Sequence, residues 1–224
     1  MSDINIHILN ANNTFSKNYI AIINKAFTRA SRKTRELLKE LPNVDVVFYD
    51  NSSQVIPATG IGGNTENANT IIIPLDSSFG ISKEELFLTI CHELHHTARM
   101  MKLGDTDSLL KKVISEGLAV QFEVEINPKH TPATYKNEVT HDQLIKGMKD
   151  LQKINQTGEY DYYEWFFGYG QYPNWFGYAL GVYVIDQYNN INKTTPSQLV
   201  HKPAEDFIGF IETLERTKKT KHYE

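Results

Sequence analysis

The chain has 224 residues, 40% of them hydrophobic and 22% charged, with a net charge of −4 and a pI near 6.1. That length can bury one substantial core or two lobes, and the acidic balance argues against a general binder of nucleic acid or of anionic membrane, which would need a basic face. A single cysteine, Cys91, excludes an intramolecular disulfide framework.

The N-terminal stretch "MSDINIHILNANNTF" has an acidic third residue, no basic region and no long apolar run, so it does not read as a Sec signal peptide. No window approaches the roughly 18 uninterrupted apolar residues of a membrane span. Cytoplasmic residence is therefore the simplest expectation. Ile4–Asn10 alternates apolar and polar residues and predicts a strand. A helical pattern follows from about Phe15 to Leu41, with Ile20, Ile23, Phe27, Leu37 and Leu38 on one stripe, and Pro42 ends it. Val44–Asp50 predicts a second strand. Gly60–Thr70, "GIGGNTENANT", is loop or hairpin chemistry. Thr70–Asp76 predicts a short strand whose Pro74 lacks a ladder donor, which suits a sheet edge or a strand end.

From there the chain turns helical. Ser82 followed by Glu85 is a capping-box pattern that opens a helix running to about Lys102, where Gly104 stops it. Thr106 or Asp107 could cap the next helix, about Ser108–Glu125, halted before Pro128. A further helix is predicted over Asp142–Ile154. Tyr160–Tyr188 concentrates 13 of the 25 aromatics and both tryptophans, and its second half reads as a buried helix. The last helix covers about Ala204–Thr217, and the basic run "RTKKTKH" from Arg216 reads as a frayed, solvated tail.

The chemistry concentrates in "CHELHH", Cys91–His96. His92-Glu93-Leu94-His95-His96 fits the pattern H-E-x-x-H. On a helix, positions i and i+4 lie one turn apart on one face, so His92 and His96 can meet one ion at about 2.0–2.1 Å each. Glu93 projects roughly 100° away from His92, from where it can take a proton from an activated water without ligating the metal. His95 falls on the far side of His92, either facing solvent or lying behind the ligands. Cys91 reads as a buried packing thiol.

A third protein ligand is not in the motif. The continuation H-x-x-G-x-x-H fails, because Arg99 and Lys102 stand at the glycine and histidine positions. "GDTD", Gly104–Asp107, is a near miss to a second pattern, and its aspartates look like helix caps. Glu116 lies 20 positions after His96, in the apolar segment "LLKKVISEGLAVQFEV". Alone it reads as an exposed helix-face glutamate. Beside His92 and His96 it reads as the third ligand, since an ionised carboxylate is rarely buried without a partner.

"HELHH" followed by "SEGLA" and an aromatic helix of the "GYALG" kind resembles a bacterial family of predicted zinc-dependent proteases, the YjaZ-type domain of unknown function. The resemblance covers about Gly60 to Tyr188. More broadly the pattern is similar to the gluzincins, the thermolysin-like proteins. The resemblance implies that His92, His96 and Glu116 are Zn2+ ligands and Glu93 the general base. Two departures stand out: Val120 occupies the place of an aspartate that commonly orients the first histidine, and no downstream histidine matches the one that steadies the oxyanion.

Tyr178, Tyr183, Tyr172, His141 and His201 are the candidates for that oxyanion role. Tyr178 comes first, because Gly177 and Gly181 on its helix could let it pack close to the helix of Glu116. The resulting expectation is an α+β, zincin-like chain. A small N-terminal mixed sheet with a long helix and the metal-binding helix (about 1–103) is followed by a mostly helical C-terminal lobe (about 104–224), together one metallopeptidase domain. The expected substrate is a peptide or protein, held along the edge strand that contains Pro74 and gated by the Gly62-Gly63 region. No nucleic-acid or membrane partner is expected, and the oligomeric state is left open. A non-catalytic zinc-bearing scaffold or regulatory protein-binding domain, and a zinc hydrolase of non-peptide amides, remain as alternatives.

Overall fold

The computed structural model describes residues 3–104, 107–132 and 139–217. The architecture is α+β, a four-stranded mixed sheet followed by helices. By contact the chain divides into two compact units, Met1–Asp105 with Ile126–Pro128 and Thr106–Glu125 with Lys129–Glu224. Among the described residues no helix is long and apolar enough to cross a membrane. The "GDTD" stretch lies partly, at Asp105 and Thr106, outside the described residues, and so does the basic tail from Lys218 onward.

The first unit opens with strand β1 (Ile4–Ile8), helix α1 (Lys17–Leu37) and strand β2 (Val44–Asp50). β1 and β2 pair in parallel, which requires a crossover of the kind α1 supplies. Ser16 caps α1, its hydroxyl accepting from the Tyr19 N–H at 3.2 Å. Tyr19, Ile23, Ala26, Phe27, Ala30 and Thr34 form the buried stripe. The helix ends at Leu37, four residues before the predicted Leu41. Leu38 turns extended (φ −98°, ψ 111°) and is buried. Pro42 biases Leu41 away from helical geometry, and the chain leaves early.

Strands β3 (Asn64–Asn67) and β4 (Thr70–Leu75) complete the sheet in the order β1-β2-β4-β3. β4 runs parallel to β2 and antiparallel to β3. The expected edge position of the Pro74 strand is therefore corrected: β4 is interior, and the Asn-rich β3 takes the edge. The alternative placement at a strand end holds, because Pro74 is the penultimate residue of β4 and lies past the end of β3. Opposite it is Gly62, whose N–H donates to the Pro74 carbonyl at 2.9 Å. Ile71, Ile73 and Leu75 of β4 and Val44, Val46 and Phe48 of β2 are buried. Helix α2 (Lys83–Leu103) packs against α1, β3 and β4.

The second unit is helical: α3 (Leu109–Ile126), α4 (His141–Thr157), α5 (Tyr162–Phe167), α6 (Phe176–Asn192), a 3-10 turn over Ala204–Phe207 and α7 (Ile208–Thr217). The predicted capping of α3 is revised. Ser108 accepts from the Lys111 N–H at 3.3 Å, while Asp107 instead accepts from the Lys111 ammonium at 2.9 Å. Thr140 and Gln143 form a reciprocal capping box on α4, which Gly158 closes in a left-handed turn. Helix α5 was not predicted as a separate element. Trp165, Phe166, Tyr172, Phe176 and Phe207 form the aromatic part of this core.

Tyr172 shows how polar groups are handled there. Its ring is only 3% exposed and stacks on Phe176 at 4.2 Å, and its hydroxyl donates to Asp150 at 2.6 Å. Burial and the Asp150 carboxylate push the phenol well above its ordinary range. Burial opposes ionisation of Asp150, but the Tyr172 hydroxyl and the Lys146 ammonium outweigh it and hold the carboxyl below its usual value. Tyr172→Phe is expected to lower stability by about 1–2 kcal/mol, the net worth of a hydrogen bond to a charged group that keeps a second partner. Urea denaturation measures it as a lower midpoint at unchanged slope.

Candidate metal centre

Helix α2 begins where the sequence places it. Ser82 accepts from the Glu85 N–H at 3.3 Å, two acidic residues stand in the first turn, and Gly104 at φ 75° ends the helix. Its burial runs almost around its circumference: Leu86, Phe87, Leu88, Ile90, Cys91, Glu93, Leu94, His95, Thr97, Ala98 and Arg99 are all buried. A helix so enclosed holds its polar side chains in fixed places.

The Nε2 atoms of His92 and His96 lie 3.1 Å apart, with ring centroids 4.8 Å apart and the planes at 76°. Two imidazole nitrogens at about 2.0–2.1 Å from one tetrahedral ion are about 3.3 Å apart. The helix thus holds this pair close to the bite of a metal chelate. Of the two placements open for His95, facing solvent is overturned: it is 0% exposed, with its ring edge-on to His96 at 6.5 Å. Cys91 is buried, as its reading as a packing thiol requires.

Glu93 is 5% exposed. A carboxylate there must find a donor, and the donor comes from β3. The Thr65 hydroxyl stands 2.7 Å from Oε2 of Glu93 and 3.1 Å from the Glu93 carbonyl oxygen. Gly63 lies against the same carboxylate: a Cβ there would overlap Oε1 and stand 3.0 Å from the carboxyl carbon. Sequence reasoning named the Gly62-Gly63 region only as a gate and did not single out Thr65.

Glu116 sits on α3, half-buried between the buried residues Ser115 and Gly117. Gly117 is where α3 meets α6 closely. A Cβ at Gly117 would collide with the Gly181 backbone, and one at Gly181 with the Val113 carbonyl and with Gly117. Of the two glycines expected to allow this approach, Gly181 makes it, whereas Gly177 lies against the Phe166 ring. Tyr178 stands edge-on to Phe166 at 5.3 Å and 6.1 Å from Trp175. Tyr172 is bound to Asp150, as described, and Tyr183 meets the His141 ring at 5.6 Å. Tyr162 was not anticipated: burial first, then the charge of Glu116, pushes its phenol up to about 12.

One ligand atom from each of His92, His96 and Glu116 lies within 4.8 Å of the others, and this group could hold a metal ion. Two imidazoles and a carboxylate suit zinc, and three protein donors leave a fourth position for water, as in catalytic rather than structural zinc sites. The residues fit the group that the sequence reading assigned to them.

No solved structure matches the chain. A relative described as "Uncharacterized protein YjaZ" from Bacillus subtilis (strain 168) is 28% identical over 127 residues, 52% of this chain. The match covers 47% of that protein, so the chain spans about half the length of the curated relative it matches. Residues 23–209 match the model of the family described as "Predicted Zn-dependent protease (DUF2268)"; the match therefore reaches back into α1 rather than beginning near Gly60, and the chain belongs to that family.

Proposed function

We propose that the chain is a zinc metallopeptidase in which His92, His96 and Glu116 hold the ion and Glu93 is the general base. The observation that carries the reading is the His92–His96 nitrogen pair at 3.1 Å with a buried carboxylate on Glu93, the residue directly after His92. When bound, zinc would lower the pKa of water toward ~7 and polarise the scissile carbonyl. Glu93 takes the proton of the attacking water and passes it to the departing amine. Because β3 is a sheet edge, an extended peptide can add to it through main-chain hydrogen bonds, which would lay the substrate beside Thr65 and Glu93. Tyr178 remains the proposed oxyanion donor. Its support is its place on α6, about one turn from Gly181, where that helix packs on Gly117 next to Glu116.

The test is metal analysis together with cleavage of a quenched fluorescent peptide library. The expected result is about one zinc per chain, with cleavage lost on chelation and restored by zinc. One observation favours a second reading, a zinc-bearing scaffold: Tyr163, Phe167 and Tyr169 are 60%, 45% and 76% exposed, and the Tyr163 ring stands beside the other two, as in a partner surface. A chain that zinc stabilises but that cleaves nothing in the library would select the scaffold.

A further inference from the structure

Edge strand β3 carries one side chain that is not exposed. Asn64, Glu66 and Asn67 face solvent, and Thr65 is half-buried. The pairing of β3 with β4 slips next to it: Thr65 opposes Ile71 and Asn67 opposes Thr70, leaving Glu66 as an extra residue. A bulge of this kind bends and twists a strand and re-aims the side chains beside it. Here the result is a hydroxyl directed at the helix that carries His92 and His96.

Thr65 has one proton to donate. Its shorter contact, 2.7 Å, is to Oε2 of Glu93, and the 3.1 Å contact to the Glu93 carbonyl is the weaker partner. Oε1 lies over Gly63, where only the absence of a Cβ leaves room for it. The carboxylate is therefore held at both oxygens by one short stretch of chain, through a hydrogen bond from Thr65 of β3 to Oε2 and through packing of Gly63, the residue just before β3, against Oε1. A threonine at the edge of a sheet has no need of a partner on the neighbouring helix, because water can satisfy it. A carboxylate that is 5% exposed does need one.

We infer that Thr65 is a positioning residue: its hydroxyl, with Gly63 beneath the carboxylate, sets the orientation of the Glu93 carboxylate and leaves Oε1 as the oxygen that exchanges protons with water and substrate. The inference rests on the proposed role of Glu93 as general base. It adds that β3, besides offering a main-chain edge to a peptide, aligns the base against that edge. The division of labour is physical. An unrestrained glutamate side chain samples several rotamers, and a misplacement of about 1 Å from productive geometry can cost roughly 100-fold in rate.

The test uses the full chain, zinc-loaded, as wild type, Thr65→Val, Thr65→Ser and Gly63→Ala. Valine keeps the shape of threonine and deletes the donor. Thr65→Val is expected to keep its zinc content and lose about 10- to 100-fold in kcat, with KM changed less than about threefold. Thr65→Ser, which returns the hydroxyl, should recover most of the loss. Gly63→Ala should reduce kcat by a similar factor by displacing Oε1. Crystal structures of the zinc-loaded wild type and Thr65→Val provide a readout that does not require activity. The expected pair shows Oε2 of Glu93 hydrogen-bonded to Thr65 in the wild type and a rotated carboxylate in the variant. A carboxylate that stays in place in Thr65→Val overturns the inference, and so does a serine variant no better than valine. If the wild type holds zinc and cleaves no peptide, the peptidase reading fails by itself, while the pair of crystal structures still decides whether Thr65 orients Glu93.

Discussion

Glu93→Gln is expected to keep its zinc and its fold and to lose peptide cleavage by about 10²- to 10⁴-fold, the usual contribution of a general acid–base group. Glutamine has the size of glutamate, so the packing of a nearly buried side chain is preserved. Its amide oxygen can still accept from Thr65, so the contact with β3 can survive as well. What disappears is the capacity to hold a proton between water and leaving amine. Three measurements check the result together: metal content, the thermal unfolding midpoint with zinc, and kcat/KM on a peptide that the wild type cleaves. Cleavage retained within about tenfold would remove Glu93 from the chemistry. Loss of zinc along with activity would mean that the residue supports the metal rather than the proton transfer.

Glu116→Ala should act in the opposite way, on the metal before the chemistry. Removal of a ligand's hydrogen-bond partner typically costs 10- to 100-fold in metal affinity, and removal of a ligand itself should cost more than 100-fold. The consequence is measurable without a substrate. At zinc 100 times above its Kd the wild type gains about 2.7 kcal/mol of stability from binding, whereas a variant weakened 100-fold sits at its own Kd and gains only about 0.4 kcal/mol. Zinc titration by calorimetry and the zinc-dependent shift in unfolding midpoint should therefore both collapse. A zinc-linked stabilisation equal to that of the wild type would take Glu116 out of the ligand set.

What was legible in the sequence was whatever depends on neighbours a few residues apart. The pairing of His92 with His96 needs only the 3.6-residue helical period, and Ser82 and Gly104 mark the ends of that helix by capping chemistry alone. The run Val44–Asp50 marked β2 to the residue, and the dense aromatic run announced a core before any packing was known. The glutamate after "S" and before "G" on the next helix stood out because a carboxylate in so apolar a stretch requires a partner.

Only the tertiary structure decided which strand is the edge, what holds Glu93, and which tyrosines are already committed. β3 consists of Asn, Thr, Glu and Asn, residues that mostly disfavour strands, so the segment reads as loop until β4 pairs with it. That pairing demotes the Pro74 strand to the interior and carries residue 65 to residue 93, a separation no local pattern spans. Helix α5, six residues long, is too short to show a period. Tyr172 looks like any other tyrosine in its run until Asp150, 22 positions earlier, accepts its hydrogen bond. Local propensity determines elements and the spacing of side chains along them. Which polar groups meet across elements depends on strand pairing and burial, and those are properties of the folded chain.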